Sequence, residues 1–392
     1  MNPTSPALQD TVPALQNGEI LLHVGLHKTG TTALQNSLAV AREELPEYGV
    51  RYPGKSTYQH NAVLAGANRP YGWRENGAVE HPKKHWNRLL KQAKWEGRTI
   101  VSSEFLDDVR PEVGLDVIEQ LGGIDKVRVA VTLRSVGAIL PSAWQQHVKS
   151  GMKLTYNQWL KQILADEPND RSTRFWWRHD QLVQVKRWAD IVGPERTYAI
   201  VVPTDDRNFI FNAFEQILGL PHDFLADRQG AGQNRSMTAA EAEMVRRLNK
   251  ELAGAMNWRE FSSLVRRGVV LNMVDSRTPA PDEEKVQTPK WAAQKAAELG
   301  RTFADGLPAL GVQIVGDPEQ LAIEPKSGRN RDIDEIKIDA AVAGLTGVVE
   351  EALKQSRKLS AEAELTKQNV PAPKKPSFSS RVARKVRSWR SG

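Results

Sequence analysis

Short apolar runs alternate with amphipathic stretches from residue 20 to residue 218. Residues 20–25 (ILLHVG), 99–104 (TIVSSE), 127–133 (VRVAVTL) and 198–202 (YAIVV) carry the apolar runs. They are short and mostly apolar at consecutive positions, and the third is rich in valine. This pattern predicts strands buried on both faces in a parallel sheet. Between them, apolar spacing near a period of about 3.6 predicts helices over 32–44, 85–96, 112–121, 142–149, 157–164, 181–191 and 209–218. Strands that alternate with helices imply an α/β fold: a P-loop-like arrangement of three layers, with a central parallel sheet flanked by helices. Ligands in such sheets bind beyond the carboxyl ends of the strands. After Gly219 the pattern changes to helices alone, over 238–253 and 289–303, followed by a long charged helical pattern over 332–367. The last of these predicts a helical C-terminal extension.

Composition narrows the function classes. The chain has 392 residues, 40% of them hydrophobic, with 11 Trp, enough for a sizeable core. No run of about 18 apolar residues occurs, so no membrane span is expected. The first residues lack the basic and apolar regions of a signal peptide. There is no Cys, which excludes disulfides, thiolate nucleophiles and cysteine-held metals and fits a reducing cytoplasm. The formal charge of +7 is concentrated in Lys374, Lys375, Arg381, Arg384, Lys385, Arg387 and Arg390. The remaining body is close to neutral, so the basic balance does not argue for a nucleic-acid partner. The tail, ending in SRVARKVRSW, reads as a solvated disordered segment, with contact to an anionic membrane or a partner as the sharper alternative.

The strongest chemical signal is Gly25-Leu26-His27-Lys28-Thr29-Gly30-Thr31-Thr32, between the first strand and the first helix. A glycine turn at a helix N-terminus offers backbone N–H groups to an anion, and the helix dipole adds positive potential. Thr31 and Thr32 add hydroxyls, and Lys28 adds a full charge. Gly25 and Gly30 have Walker A spacing, but Thr31 stands where the lysine of a nucleotide hydrolase belongs. The lysine lies three residues earlier, which argues against an NTPase or kinase gripping β- and γ-phosphates. A second motif follows at 131–142 (VTLRSVGAILPS). Arg134 sits just past a strand, and Ser142 comes eight positions on, near the expected start of a helix. A guanidinium and a hydroxyl converging on one phosphate make a charge-assisted site. Taken singly, Arg134 reads as a surface ion-pair residue and Ser142 as a helix cap.

Together these motifs resemble the PAPS-dependent sulfotransferases, closest to the bacterial and carbohydrate types. HVGLHKTGTTALQ is similar to the family's 5′-phosphosulfate loop. The Arg134–Ser142 pair is similar to its 3′-phosphate site. A looser likeness lies at 230–237 (GAGQNRSM), where Arg235 stands near the position of a late basic loop but departs from that loop's usual form. The resemblance spans roughly residues 20–250 and implies that His27, Lys28, Thr29, Gly30, Thr31, Thr32, Arg134, Ser142 and Arg235 hold 3′-phosphoadenosine 5′-phosphosulfate (PAPS) as co-substrate. No metal is implied. The expected division is a disordered leader over 1–18 and a catalytic domain over 19–330. That domain has a nucleotide-binding core over 19–250 and an acceptor-side helical part over 251–330. A long helix over 331–368 and a basic disordered tail over 369–392 complete it.

The resemblance implies in-line transfer of a sulfuryl group to a hydroxyl or amine of a glycan, glycolipid or small metabolite, with Lys28 neutralising the leaving group. The acceptor hydroxyl needs a base. Glu104, at the end of IVSSE, and His60, in TYQHNAV, are the leading candidates; His147, five residues past Ser142, is the third. His27 reads as orienting the nucleotide or packing. Trp73, Trp86, Trp95, Trp176 and Trp177 are candidates for a sugar platform, with core packing the plainer role. A catalytically inactive PAPS-binding relative acting in assembly stays open as an alternative.

Overall fold

The computed structural model describes residues 12–69, 82–228 and 235–368. Six parallel strands form one sheet in the order β2-β3-β1-β4-β5-β6. They are β1 (Ile20–Gly25), β2 (Val50–Arg51), β3 (Arg98–Ser102), β4 (Val127–Leu133), β5 (Thr197–Val201) and β6 (Gln313–Val315). Side chains alternate between the two faces, as strand geometry requires. Ile20, Leu22 and Val24 of β1 join one apolar cluster with Val127, Val129, Val131 and Leu133 of β4. Leu21 joins the opposite cluster with Ile100, Ala130 and Tyr198. A residue such as Leu22, fully buried, contributes about 1.5–3 kcal/mol through removal of its side chain from water.

The helices of the first half are α1 (Thr31–Val40), α2 (His60–Gly66), α3 (Lys83–Ala93), α4 (Pro111–Leu121), α5 (Val136–Val148), α6 (Tyr156–Ile163), α7 (Asp170–His179), α8 (Gln181–Val192) and α9 (Phe209–Leu218). Leu34 and Leu38 of α1 pack on one face of the sheet with Phe211, Phe214 and Ile217 of α9. Residues of α3, α4, α5 and α8 cover the other face. The result is the three-layer α/β architecture that the apolar pattern predicts. β1 pairs with β3 on one side and β4 on the other, so the chain order reverses across β1. The crevice beyond its carboxyl end is the switch point where such sheets bind ligands.

The later chain adds α10 (Ala239–Glu251), α11 (Trp258–Phe261), a π-helical stretch (Ser262–Leu271) and α12 (Asn272–Ser276). These are followed by α13 (Lys290–Gly306) and α14 (Ile338–Gln368). α14 crosses the π-helical stretch at paired glycines: a Cβ on Gly347 would lie 2.0 Å from the Gly268 carbonyl oxygen.

Several expectations are corrected. Residues 12–18 are not a disordered leader, because Leu15 is buried and its N–H donates to Ile217 O at 2.8 Å, while Tyr198 Oη donates to Pro13 O at 2.6 Å. The strand expected over 99–104 ends at Ser102, and Glu104 instead opens a short 3₁₀ turn (Glu104–Leu106) capped by Ser103 Oγ. The helix expected to start at Ser142 begins at Val136, with Pro141 inside it. The part over 251–330 is not helical alone, since it returns to the sheet through β6. The long helix starts at Ile338, not 331. The expected tail, residues 369–392, lies outside the described residues, as does Trp73.

Candidate functional site

The turn between β1 and α1 is set by the side chains of Leu26, Thr29 and Thr31 and by its glycines. Leu26 points into the core. Thr29 Oγ1 donates to Leu26 O at 2.7 Å and meets Thr132 Oγ1 at 2.7 Å, which ties the loop down to β4. The Thr29 side chain is therefore fully buried beneath the loop, where it shapes the turn and does not face a ligand. Thr31 packs so tightly under Gly25 that a Cβ there would sit 1.9 Å from Thr31 Oγ1. Only glycine fits. Gly30 (φ 97°) and Lys28 (φ 75°) both adopt left-handed backbone. For lysine this costs about 1–2 kcal/mol, strain of the kind that clusters at ligand clamps.

This geometry leaves a cradle. α1 has no side-chain cap and no acidic residue in its first turn. Among the described residues, the N–H groups of Lys28, Gly30, Thr31 and Thr32 have no protein acceptor. Thr31 Oγ1 is buried without a hydrogen-bond partner, and so is Arg134 Nε. Arg134 leaves the end of β4 with its backbone clamped by Gln181, whose Nε2 donates to Arg134 O at 2.7 Å. Its Nη1 reaches Lys28 O at 3.5 Å. Burial alone holds its pKa below the ordinary arginine value. Lys28 Nζ donates to Gln146 Oε1 on α5 at 3.3 Å. Burial, then the positive charge of Lys149, push the Lys28 ammonium down to about 8; Glu104 pulls the other way, and Arg266 adds a smaller push. Neither Lys28 nor Arg134 has a carboxylate partner among the described residues. Two half-buried cations beside free amide donors form a site for an anion with more than one charged group.

A buried polar layer supports the loop from below. His23 of β1 bridges the neighbouring strands, with Nδ1 2.8 Å from Ser102 Oγ and Nε2 3.3 Å from Thr132 Oγ1. Gln35 Nε2 donates to Ser102 Oγ at 3.1 Å, and Gln59 Oε1 accepts from Ser102 N at 2.7 Å. Burial pushes His23 down to about 3, so the ring is neutral and acts as a structural hydrogen-bonding spacer. Its place in an apolar strand gave no sequence signal for this role.

The Glu104 carboxylate acts electrostatically on both Lys28 and His60. Gln35 Nε2 donates to Glu104 Oε2 at 3.5 Å. Burial lowers the His60 pKa while the Glu104 charge works against it, and the Glu104 charge also acts on Lys28 and Tyr58. The His60 and Phe105 rings lie 5.8 Å apart. His147 stands further along α5 against Trp159, with ring centroids 5.8 Å apart. Burial, then Arg171 and Arg178, bring His147 down to about 4, leaving a neutral and weakly basic ring. His27 Nδ1 pairs with the buried Asp107 carboxylate. Burial opposes a charged His27, yet the Asp107 charge and hydrogen bond outweigh it and raise the His27 pKa; burial raises Asp107 in turn. The two share one proton, which fixes the orientation of the imidazole in the loop.

Arg235 is not gathered into the cradle. Its Nε donates to Val274 O at 3.0 Å, its Nη1 to Glu241 Oε2 at 2.7 Å and Ser236 O at 3.2 Å, and its Nη2 to Glu241 Oε1 at 2.9 Å and Met273 O at 2.8 Å. All of its donors are engaged inside the protein. It clamps the segment before α10 onto α12. Residues 230–234 of the expected late loop lie outside the described residues. Ser142 is half-buried in the second turn of α5, one turn before Gln146. The tryptophans divide: Trp86 is in the core with Nε1 donating to Gln120 at 2.6 Å, and Trp176 donates to Ile163 O at 2.8 Å. Trp95 lies under Arg51, and the exposed Trp177 lies under Arg187. Neither pair belongs to the cradle. Among the described residues no group of three His, Asp or Glu side chains stands close enough to hold a metal ion, and no helix is long and apolar enough to cross a membrane.

No protein-family model and no curated protein matches the chain.

Proposed function

We propose that the chain is a sulfotransferase that moves a sulfuryl group from PAPS to an acceptor hydroxyl or amine. The observation that carries the reading is the pair of carboxylate-free cations, Lys28 within one glycine turn and Arg134 reaching the carbonyl of Lys28, at the switch point of the sheet. The donor set suits a nucleotide with two separate phosphate-type groups. The N–H groups of Gly30, Thr31 and Thr32, with the orphaned Thr31 hydroxyl, suit a 5′-phosphate at the mouth of α1. The orphaned Arg134 Nε suits a second phosphate at the end of β4. Thr31 at the position of the hydrolase lysine disfavours a triphosphate.

The acceptor oxygen attacks sulfur in line and forms a new S–O bond. The bond from sulfur to the bridging 5′-phosphate oxygen breaks, and its electron pair stays on adenosine 3′,5′-bisphosphate. Lys28, the only loop residue with an ammonium, offsets that developing charge. The acceptor proton passes to Glu104, whose charge acts on Lys28, or to His60, on which the same carboxylate acts. A PAPS-using enzyme fits the cytoplasm, and a glycan, glycolipid or small metabolite fits as acceptor.

Calorimetry with adenosine 3′,5′-bisphosphate and with ATP and Mg²⁺ tests the donor assignment. The bisphosphate is expected to bind and ATP to bind far more weakly; no affinity for the bisphosphate overturns the proposal. Arg134→Ala is expected to weaken bisphosphate binding about tenfold or more, the usual effect of losing a charged hydrogen bond. Lys28→Ala is expected to lower the transfer rate from labelled PAPS by about 10²–10³ while moving that affinity less.

A further inference from the structure

α14 has two packable sides, and the body of the protein covers one of them. Ala340, Gly344 and Gly347 are buried. A Cβ on Gly344 would meet Val269 of the π-helical stretch at 3.2 Å. Polar contacts fasten the helix further. Asn272 Nδ2 donates to Ala343 O at 2.7 Å, Ser263 Oγ to Glu351 Oε2 at 3.0 Å, and Gln355 Nε2 to Ser263 Oγ at 2.6 Å. Arg277 pairs with Asp339 at 2.9 Å. α14 is thus held to the body as far as Gln355.

The other side is apolar and bare. Ile338, Val342, Leu345, Val349 and Leu353 are 81%, 53%, 67%, 57% and 49% exposed. Their spacing of i, i+4, i+7, i+11 and i+15 makes one stripe along the helix. At about 100° per residue, the stripe lies roughly 170° around the helix from the line of Ala340, Gly344, Gly347 and Glu351. A helix that is apolar on both sides is ordinarily buried on both. Among the described residues, none covers this second side.

The ends of the stripe carry opposite charges. Asp332, Asp334, Glu335 and Asp339 stand at its N-terminal end, and Lys354, Arg357 and Lys358 stand just past its C-terminal end. Asp334 and Arg357 form no ion pair with each other or with another residue among the described residues. A second copy laid alongside in the same direction would set like charges together. Laid antiparallel, it sets each acidic end against a basic one. The apolar positions fit the same arrangement. A two-fold axis between residues 345 and 346 places Ile338 opposite Leu353 and Val342 opposite Val349, with the two copies of Leu345 beside the axis. An interface between identical copies about such an axis needs this self-complementary pattern. At about 100 Å² for a fully exposed aliphatic side chain, covering the stripe on both copies removes roughly 600 Å² of apolar surface. With the polar rim of an ordinary interface, the total reaches about 1,000 Å², enough for a specific contact.

We infer that α14 is a self-association helix, through which two copies of the chain pair antiparallel along the 338–353 stripe. The stripe contains none of the cradle residues, so pairing does not depend on which ligand the cradle binds.

Sedimentation of the full chain at about 10–100 μM is expected to give twice the mass of one chain. Leu345→Glu/Val349→Glu is expected to weaken pairing about tenfold or more. Its circular dichroism is expected to match that of the unaltered chain, since both side chains are exposed in the single copy. The chain has no Cys, so introduced ones read the orientation cleanly. Under mild oxidation, Leu345→Cys is expected to form a disulfide with its own copy. A mixture of Val342→Cys and Val349→Cys chains is expected to cross-link more readily than Val342→Cys alone. These cross-links decide the matter even if the double variant fails to fold. A full chain that stays monomeric overturns the inference. Flotation of a monomeric chain with phosphatidylglycerol vesicles likewise overturns it, because a lipid surface then covers the stripe. A pair that survives Leu345→Glu/Val349→Glu overturns it as well, because another surface then holds the copies together. Preferential self-cross-linking of Val342→Cys overturns the antiparallel arrangement.

Discussion

Binding of a nucleotide with two phosphate groups beside Lys28 has a thermodynamic consequence set by the site. The ammonium is pushed from 10.5 to about 8, first by burial and then by Lys149 and Arg266. Return to its ordinary value would represent roughly 3 kcal/mol of differential interaction. In the free protein, Lys28 is then about half protonated at pH 8 and about nine-tenths protonated at pH 7. A phosphate oxygen at the ammonium favours the charged form and restores the proton. Binding is expected to take up about half a proton at pH 8 and about a tenth at pH 7. The sign follows directly: the bound state holds more protons, so affinity weakens as pH rises above 8. The ligand phosphates, with second ionisations near pH 6, are already deprotonated there. Calorimetry of adenosine 3′,5′-bisphosphate in two buffers of different ionisation enthalpy, at pH 7 and pH 8, reads the uptake. Lys28→Met should abolish the difference between the two pH values. No uptake at pH 8, or an uptake that persists in Lys28→Met, refutes the placement of the anion at this ammonium.

Other consequences concern the cradle and its support. Gly25→Ala drives a Cβ to 1.9 Å from Thr31 Oγ1; a melting curve should show a loss of roughly 1–3 kcal/mol, and calorimetry a loss of bisphosphate binding. His23 is held down to about 3, below the roughly 6.5 of an unfolded chain, so the unfolded state takes up the proton first as pH falls. Its contribution to stability is intact above about pH 6.5 and falls by about 2 kcal/mol by pH 5. Urea unfolding should show that the stability difference between the protein and His23→Gln shrinks by that amount between pH 7.5 and pH 5. For the acceptor base, Glu104→Gln and His60→Ala are compared at saturating PAPS: the variant that lacks the base should lose about 10²–10⁴ in rate, and a full rate removes that residue from the role.

What could be read before folding was whatever is written in consecutive residues. The four longer strands and the helices between them announce themselves through local periodicity, because one side of each must leave water. The loop Gly25–Thr32 is equally legible, since a turn of this kind needs its glycines and its lysine within a few residues of one another. The misses have physical causes. β2 and β6, at two and three residues, are too short to show a period. The π-wound segment repeats at a different angle from an α-helix, so its apolar spacing does not register as helical. Residues 12–18 look solvated in composition, yet Leu15 finds a slot against α9 that no local rule reveals.

The site divides along the same line. Lys28, Arg134, Glu104 and His60 were identified as residue types in suggestive places, and folding brings Arg134 to the Lys28 carbonyl and the Glu104 charge within reach of both Lys28 and His60. Arg235 carried the same charge, but six residues on it meets Glu241, and its remaining donors are taken by carbonyls of α12 and the turn after it. Lys149 and Arg266 carried no signal at all, separated by more than a hundred residues. Sequence alone determines which groups exist and which short segments fold. Whether a cation is neutralised or left waiting for an anion depends on how far the nearest carboxylate lies once the layers pack, and only the tertiary structure sets that distance.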